Sequence, residues 1–188
     1  MRDDIYSMQE GVMNGSLILV AALMCATGSA SMAQDTATSA QSNASAKEFV
    51  EQAGTSGLAE VEMGELGAQK ATNGQVKAFA KQMAADHTKA NQELVTAAKG
   101  KGVQVPSSRT AMHKALVEKF QQQDKGKDFD RDYMQQMVQD HKAAVELFET
   151  AADDDKLDLD LRSYAKKTLP TLRDHLKQAQ TIQSKLAD

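Results

Sequence analysis

Four long stretches of this chain place apolar residues every three or four positions, and only two prolines and almost no β-branched runs interrupt them. That period belongs to helices with one buried face, which confines the chain to an all-α fold. The stripes predict helices over about 46–71, 74–99, 128–152 and 158–186. The second is the clearest: Val76, Phe79, Ala80, Met83, His87, Ala90, Leu94 and Ala97 share a face. The third carries Phe129, Tyr133, Met137, His141, Ala144 and Phe148, and the fourth Leu161, Tyr164, Leu172, His175, Ala179 and Ile182.

The connections choose between bundle topologies. Thr72-Asn73-Gly74 makes a short first turn and Asp153-Asp154-Asp155 a short last one, whereas residues 100–128 are long for a link between helices. Within that link Pro106-Ser107-Ser108 opens a short helix bearing Met112, Leu116 and Phe120. The pattern predicts a ferritin-like four-helix bundle with a long, partly helical crossover between helices 2 and 3; an up-down-up-down bundle with a decorated loop is the alternative. Two irregularities stand out. Gly54-Thr55-Ser56-Gly57 marks a weak point in the first helix, and Pro170 implies either a kink one turn before His175 or a helix restarting there.

One segment occurs twice. Gln82-Met83-x-x-Asp86-His87-x-x-Ala90 returns as Gln136-Met137-x-x-Asp140-His141-x-x-Ala144, and a third Asp-His pair follows at Asp174-His175. The chain has four histidines, so three of them sit in one motif. Each falls near the middle of its predicted helix, and mid-helix residues meet at one level whichever way the helices run. His113, in the crossover, reads as a surface residue.

The N-terminus has a different character. Leu17-Ile18-Leu19-Val20-Ala21-Ala22-Leu23-Met24 followed by Ser31-Met32-Ala33 fits a secretory signal over residues 1–33, too short to span a bilayer as a helix. Residues 34–45 have too little apolar surface to offset ordering entropy and read as a flexible leader, which leaves 46–187 as the helical domain. Cys25, the single cysteine, lies inside the signal, so the mature chain has neither a disulfide nor a thiolate nucleophile. Removing Arg2, Asp3, Asp4 and Glu10 with the signal leaves a nearly neutral chain, with no basic face or aromatic interleaving for nucleic acid. The expected location is the periplasm. No transmembrane span is expected in the mature chain, and its sequence gives no support for outer-membrane association.

The combination Gly57-Leu58-Ala59-Glu60-Val61-Glu62-Met63-Gly64, Met83-x-x-Asp86-His87, Tyr133-x-x-x-Met137-x-x-Asp140-His141 and Leu169-Pro170-x-Leu172-x-x-His175-Leu176 resembles a known family. It is similar to the exported, ferritin-like bacterial proteins catalogued as domain of unknown function forty-one forty-two, often labelled predicted outer-membrane or membrane proteins. The resemblance covers about residues 47–186. It implies the bundle fold, export and an envelope or stress-related setting, and no activity.

Three imidazoles from three helices suit a transition metal, Zn first and Cu or Fe second. The apolar residues of the first helix average to the direction of Glu62, which makes that carboxylate the expected fourth ligand, with Glu60 and Glu65 as substitutes if the helix is rotated. Asp86, Asp140 and Asp174 are placed to orient histidines on neighbouring helices. Met83 and Met137, one turn before their histidines, offer thioethers that would favour Cu(I), although methionine at helical spacing also fills cores. A di-iron centre is disfavoured, because the residues three before His87, His141 and His175 are Ala84, Val138 and Leu172 rather than glutamate. Three functions stay open: a metal-binding envelope protein, a structural or interaction protein with unidentified envelope partners, and a metal-dependent oxidoreductase. No catalytic residue is assigned, and the sequence does not set the oligomeric state.

Overall fold

The computed structural model describes residues 30–186. Residues 1–29, which carry most of the predicted signal and Cys25, lie outside the described residues. Five helices follow one another: α1 (Ala30–Lys70), α2 (Gly74–Ala98), α3 (Ala111–Gln122), α4 (Lys127–Asp153) and α5 (Leu159–Leu186). There is no strand among the described residues. The fold is all-α, and the four long helices fall within a few residues of the predicted limits, except at the start of α1. That helix begins at Ala30, so residues 34–45, expected as a flexible leader, are helical. Its burial into the core starts at Ala46.

Local chemistry sets the helix ends. Asn73 caps α2, its side chain accepting from the backbone N–H groups of Gln75 and Val76. Thr110 caps α3 by accepting from the N–H of His113 at 3.2 Å. Gly100 and Gly102 adopt φ of 77° and 71°, a backbone that lets the chain turn away after α2 at little steric cost. Pro170 neither ends nor restarts α5, which runs through it. Both Pro170 and Lys166, whose carbonyl loses its donor, are exposed, so water can take the vacant bond.

Two helical hairpins, α1–α2 and α4–α5, pack on each other through α2 against α5 and α1 against α4. The start of α4 lies beside the α1–α2 turn: the Asp130 carboxylate accepts from the N–H of Thr72 at 3.0 Å, the N–H of Asn73 at 2.7 Å and the Thr72 hydroxyl at 2.5 Å. At the other end Leu94 and Ala98 of α2 share a core cluster with Phe148 and Ala151 of α4. Helices α2 and α4 therefore run parallel, and the crossover must return the full length of the molecule. It does so along α1. Arg109 pairs with Glu62 at 2.7 Å, and the Lys70 ammonium donates to the terminal carbonyls of α3, Phe120 at 2.9 Å and Gln121 at 2.7 Å, and to that of Gln123.

The predicted weak point at Gly54–Gly57 is instead a packing surface. A Cβ on Gly64 would lie 2.8 Å from the Ala80 carbonyl oxygen and 2.7 Å from the Ala84 nitrogen, and one on Gly57 would strike the Asn91 side chain. The glycines let α1 approach α2 closely, which is why the helix continues through them. The buried face of α1 accordingly includes Val50, Ala53, Gly57, Glu60, Met63, Gly64 and Gly67. Small residues carry much of that face, and an average over Leu58, Val61, Met63 and Leu66 misses its centre. The core itself is in two parts: a cluster around Phe79, Met83, Tyr133 and Met137 towards the α1–α2 turn, and one around Phe49, Leu94, Phe148 and Tyr164 at the opposite end.

Candidate metal centre

Between those two clusters lies a layer of histidine. His87 follows Met83 by one turn on α2, His141 follows Met137 by one turn on α4, and His175 sits between Leu172 and Ala179 on α5, so each helix passes from one cluster to the other through its histidine. The ring centroids form a nearly equilateral triangle, 5.7 Å for His87–His141, 5.6 Å for His87–His175 and 5.4 Å for His141–His175. One ring nitrogen from each lies within 4.8 Å of the other two. The exposures are 7%, 1% and 1% for His87, His141 and His175.

Hydrogen bonding fixes which nitrogens of His141 and His175 are available. His141 Nδ1–H donates to the Met137 carbonyl at 2.8 Å, leaving Nε2 with a free lone pair. His175 Nε2–H donates to Asp86 Oδ2 at 2.9 Å, leaving Nδ1 free. Those two atoms and His87 Nε2 are buried without a partner. Burial pushes the His87 pKa well below the usual imidazole range, with further lowering from His141 and His175. For His141 burial outweighs the bond to the Met137 carbonyl and brings the value to about 4. A deprotonated ring nitrogen is the form a metal ion binds, and burial favours it at His87 and His141.

The carboxylates distribute differently from the expectation. Glu62 is turned outward to Arg109 and accepts from Gln121 at 3.4 Å, so it clamps the crossover and does not face the histidines. Glu65 is exposed. Glu60 is the inward carboxylate, 8% exposed, with Oε2 buried and unpartnered. Burial raises its pKa well above the usual carboxylate value, and Asp140 raises it further. Of the three aspartates, Asp86 alone meets a neighbouring histidine. Asp140 accepts from Gln136 at 2.9 Å, and exposed Asp174 accepts from Gln178 at 2.7 Å. Met83 and Met137 are fully buried in the core cluster, and it is the backbone carbonyl of Met137 that engages His141.

Beside the histidines a cavity of about 430 Å³ is lined by Glu60, His87, Asp140 and His141, and also by His113, Tyr164 and Thr168. His113 is half-buried there and is not the surface residue its place in the crossover suggested. The Tyr133 hydroxyl, buried and unpartnered, is held protonated by burial and by the charges of Glu60 and Asp140. Asp130, which the helical pattern did not single out, proves to be the most extensively bonded carboxylate of the α1–α2 turn. An acid in the first turn of a helix was the available signal, though it points to the helix dipole and not to a distant turn.

The fold and the layer define an all-helical protein with a three-histidine cluster at its centre, of a kind able to hold a metal ion. The chain belongs to the family described as Domain of unknown function (DUF4142), whose model matches residues 31–182. Comparison with curated proteins and with solved structures gives no match.

Proposed function

We propose that this protein is an exported, ferritin-like helical-bundle protein that holds one transition-metal ion between His87, His141 and His175 and serves the cell envelope in metal storage, sensing or protection, without catalysis. One observation carries the reading: three buried ring nitrogens from three helices converge with no hydrogen-bond partner among the described residues. Each buried polar atom left unpaired costs about 1–3 kcal/mol, and a single ion relieves all three.

Zinc is the first choice. A tetrahedral Zn–N distance of about 2.0–2.1 Å needs nitrogens about 3.4 Å apart, so an ion would draw together three that lie within 4.8 Å of one another. Glu60 is a buried carboxylate in the lining of the cavity that His87 and His141 also line. Copper is second, supported by Met83 and Met137 in the adjoining core and weakened by the engagement of Met137 through its carbonyl. Iron in a carboxylate-bridged pair finds no Glu-x-x-His on α2, α4 or α5. The parallel course of α2 and α4 and the crossover along α1 support the ferritin-like topology. The apolar run at 17–24 and Ser31-Met32-Ala33 support export to the periplasm, and cleavage after Ala33 would spare the packed part of α1. No helix among the described residues is long and apolar enough to cross a membrane.

The test is elemental analysis of protein purified from an expressing bacterium without chelator or affinity metal, beside a His87→Ala, His141→Ala, His175→Ala variant. Near-stoichiometric metal in the parent and none in the variant is the expected result. A folded parent that carries and binds no metal would sink the proposal. It would leave the histidine layer as a device fixing helix register, a role the His175–Asp86 and His141–Met137 bonds would serve.

A further inference from the structure

The cavity beside the histidine layer connects that layer to the surface. Its lining includes the exposed Gln52 and Met112, the half-buried His113, the buried Glu60, and His87 and His141. His113 belongs to the first turn of α3, where the Thr110 cap fixes its backbone and the Arg109–Glu62 ion pair ties the crossover to α1. Its Nδ1 is buried and has no partner, and the same is true of Glu60 Oε2. An imidazole nitrogen and a carboxylate oxygen are the donors that borderline divalent cations accept. Here the two line one cavity, with Asp140 also in its lining and Arg109 paired with Glu62.

We propose that His113 and Glu60 form a transfer station: a divalent cation entering the cavity is held there before it passes to His87, His141 and His175. The inference rests on the metal-binding reading above and gives His113 a kinetic role, outside the final ligand set. Ligand exchange then proceeds in two short steps, so the ion is not stripped of all its water at once.

The test follows loading of Co²⁺, whose visible absorption reports a low-symmetry nitrogen and oxygen site, into the chelator-stripped full chain by stopped flow, with Zn²⁺ competition giving the equilibrium affinity. The variants are His113→Gln, Glu60→Gln and the triple histidine variant, each checked for helicity. The expected result is that His113→Gln reaches the parental final absorbance and Zn²⁺ affinity but loads several-fold more slowly. Glu60→Gln slows loading too. Loading at the parental rate by either variant overturns the station, and so does a lower saturating absorbance in His113→Gln, which would make His113 a ligand of the final site. A parent that develops no absorbance and binds no Zn²⁺ overturns the metal-binding reading itself, an outcome distinct from unchanged rates.

Discussion

His175 on α5 and Asp86 on α2 are joined at 2.9 Å, and this contact decides which nitrogen of the imidazole faces inward. A carboxylate oxygen accepts, so Nε2 carries the proton and Nδ1 keeps its lone pair for the centre. Asp86→Ala removes that orientation while leaving all three histidines in place. The expected outcome is a fall of about 10–100-fold in Zn²⁺ affinity, read by competition with a chromophoric chelator. Asp174→Ala, whose carboxylate meets only Gln178 at 2.7 Å, is the matched control and leaves the affinity unchanged. Equal affinities in the two variants would show that Asp86 plays no part in presenting His175.

The stability of the metal-free protein depends on pH through His87, whose pKa burial also lowers, and through His141. The folded pKa of His141 is about 4 against an unfolded value of 6.5. Above pH 6.5 both states are neutral and the full stability is present. As pH falls below 6.5 the unfolded chain takes up the proton first, and stability is lost down to about pH 4. The shift corresponds to about 3 kcal/mol. Glu60 acts in the opposite sense, because its raised pKa favours the folded state at low pH and gives up that advantage as pH rises above 4.5. The comparison that isolates His141 is therefore parent against His141→Gln, each melted in chelator across this range. The parent loses stability relative to the variant between pH 6.5 and 4, and parallel curves would contradict the assignment.

The histidine layer was legible in the sequence because three of its residues sit in one motif, each at mid-helix, and helix geometry converts that spacing into a common level. The fourth direction was not legible. Glu62 was favoured over Glu60 by averaging large apolar side chains, whereas the contact face of α1 includes Gly57, Gly64 and Gly67, which add nothing to such an average. His113 was misplaced for a related reason: a crossover has no period to say which side of it faces inward. The role of Asp130 depends on a bond to residues 57 and 58 positions away, and local pattern carries no such information.

The glycine face makes its own prediction. Gly64→Ala directs a methyl group at the backbone of α2, 2.8 Å from the Ala80 oxygen and 2.7 Å from the Ala84 nitrogen, and neither atom can move without shifting the helix. Overpacking of this kind costs about 1–3 kcal/mol. Better helix propensity returns about 1 kcal/mol. Chemical denaturation should show a net loss for Gly64→Ala and a smaller one for Gly57→Ala, where the obstacle is the partly exposed Asn91 side chain, free to rotate away. The reverse order would mean that α1 and α2 are not held this closely.

Asp130 separates the frame from the centre. It is 1% exposed and satisfies two backbone N–H groups and the hydroxyl at the α1–α2 turn, fixing where α4 starts relative to α2. Hydrogen bonds to a charged group contribute about 1.5–3 kcal/mol, and truncation also leaves buried donors unpaired. Asp130→Ala should therefore cost about 3 kcal/mol in denaturant unfolding. Because the turn lies at the end of the helices and the histidines at their middle, the variant that remains folded should keep the parental Zn²⁺ affinity. A large loss of stability with unchanged affinity assigns Asp130 to the register of the hairpins. A loss of affinity in the folded variant would instead mean that the start of α4 is coupled to the placement of His141, about three turns further along the same helix.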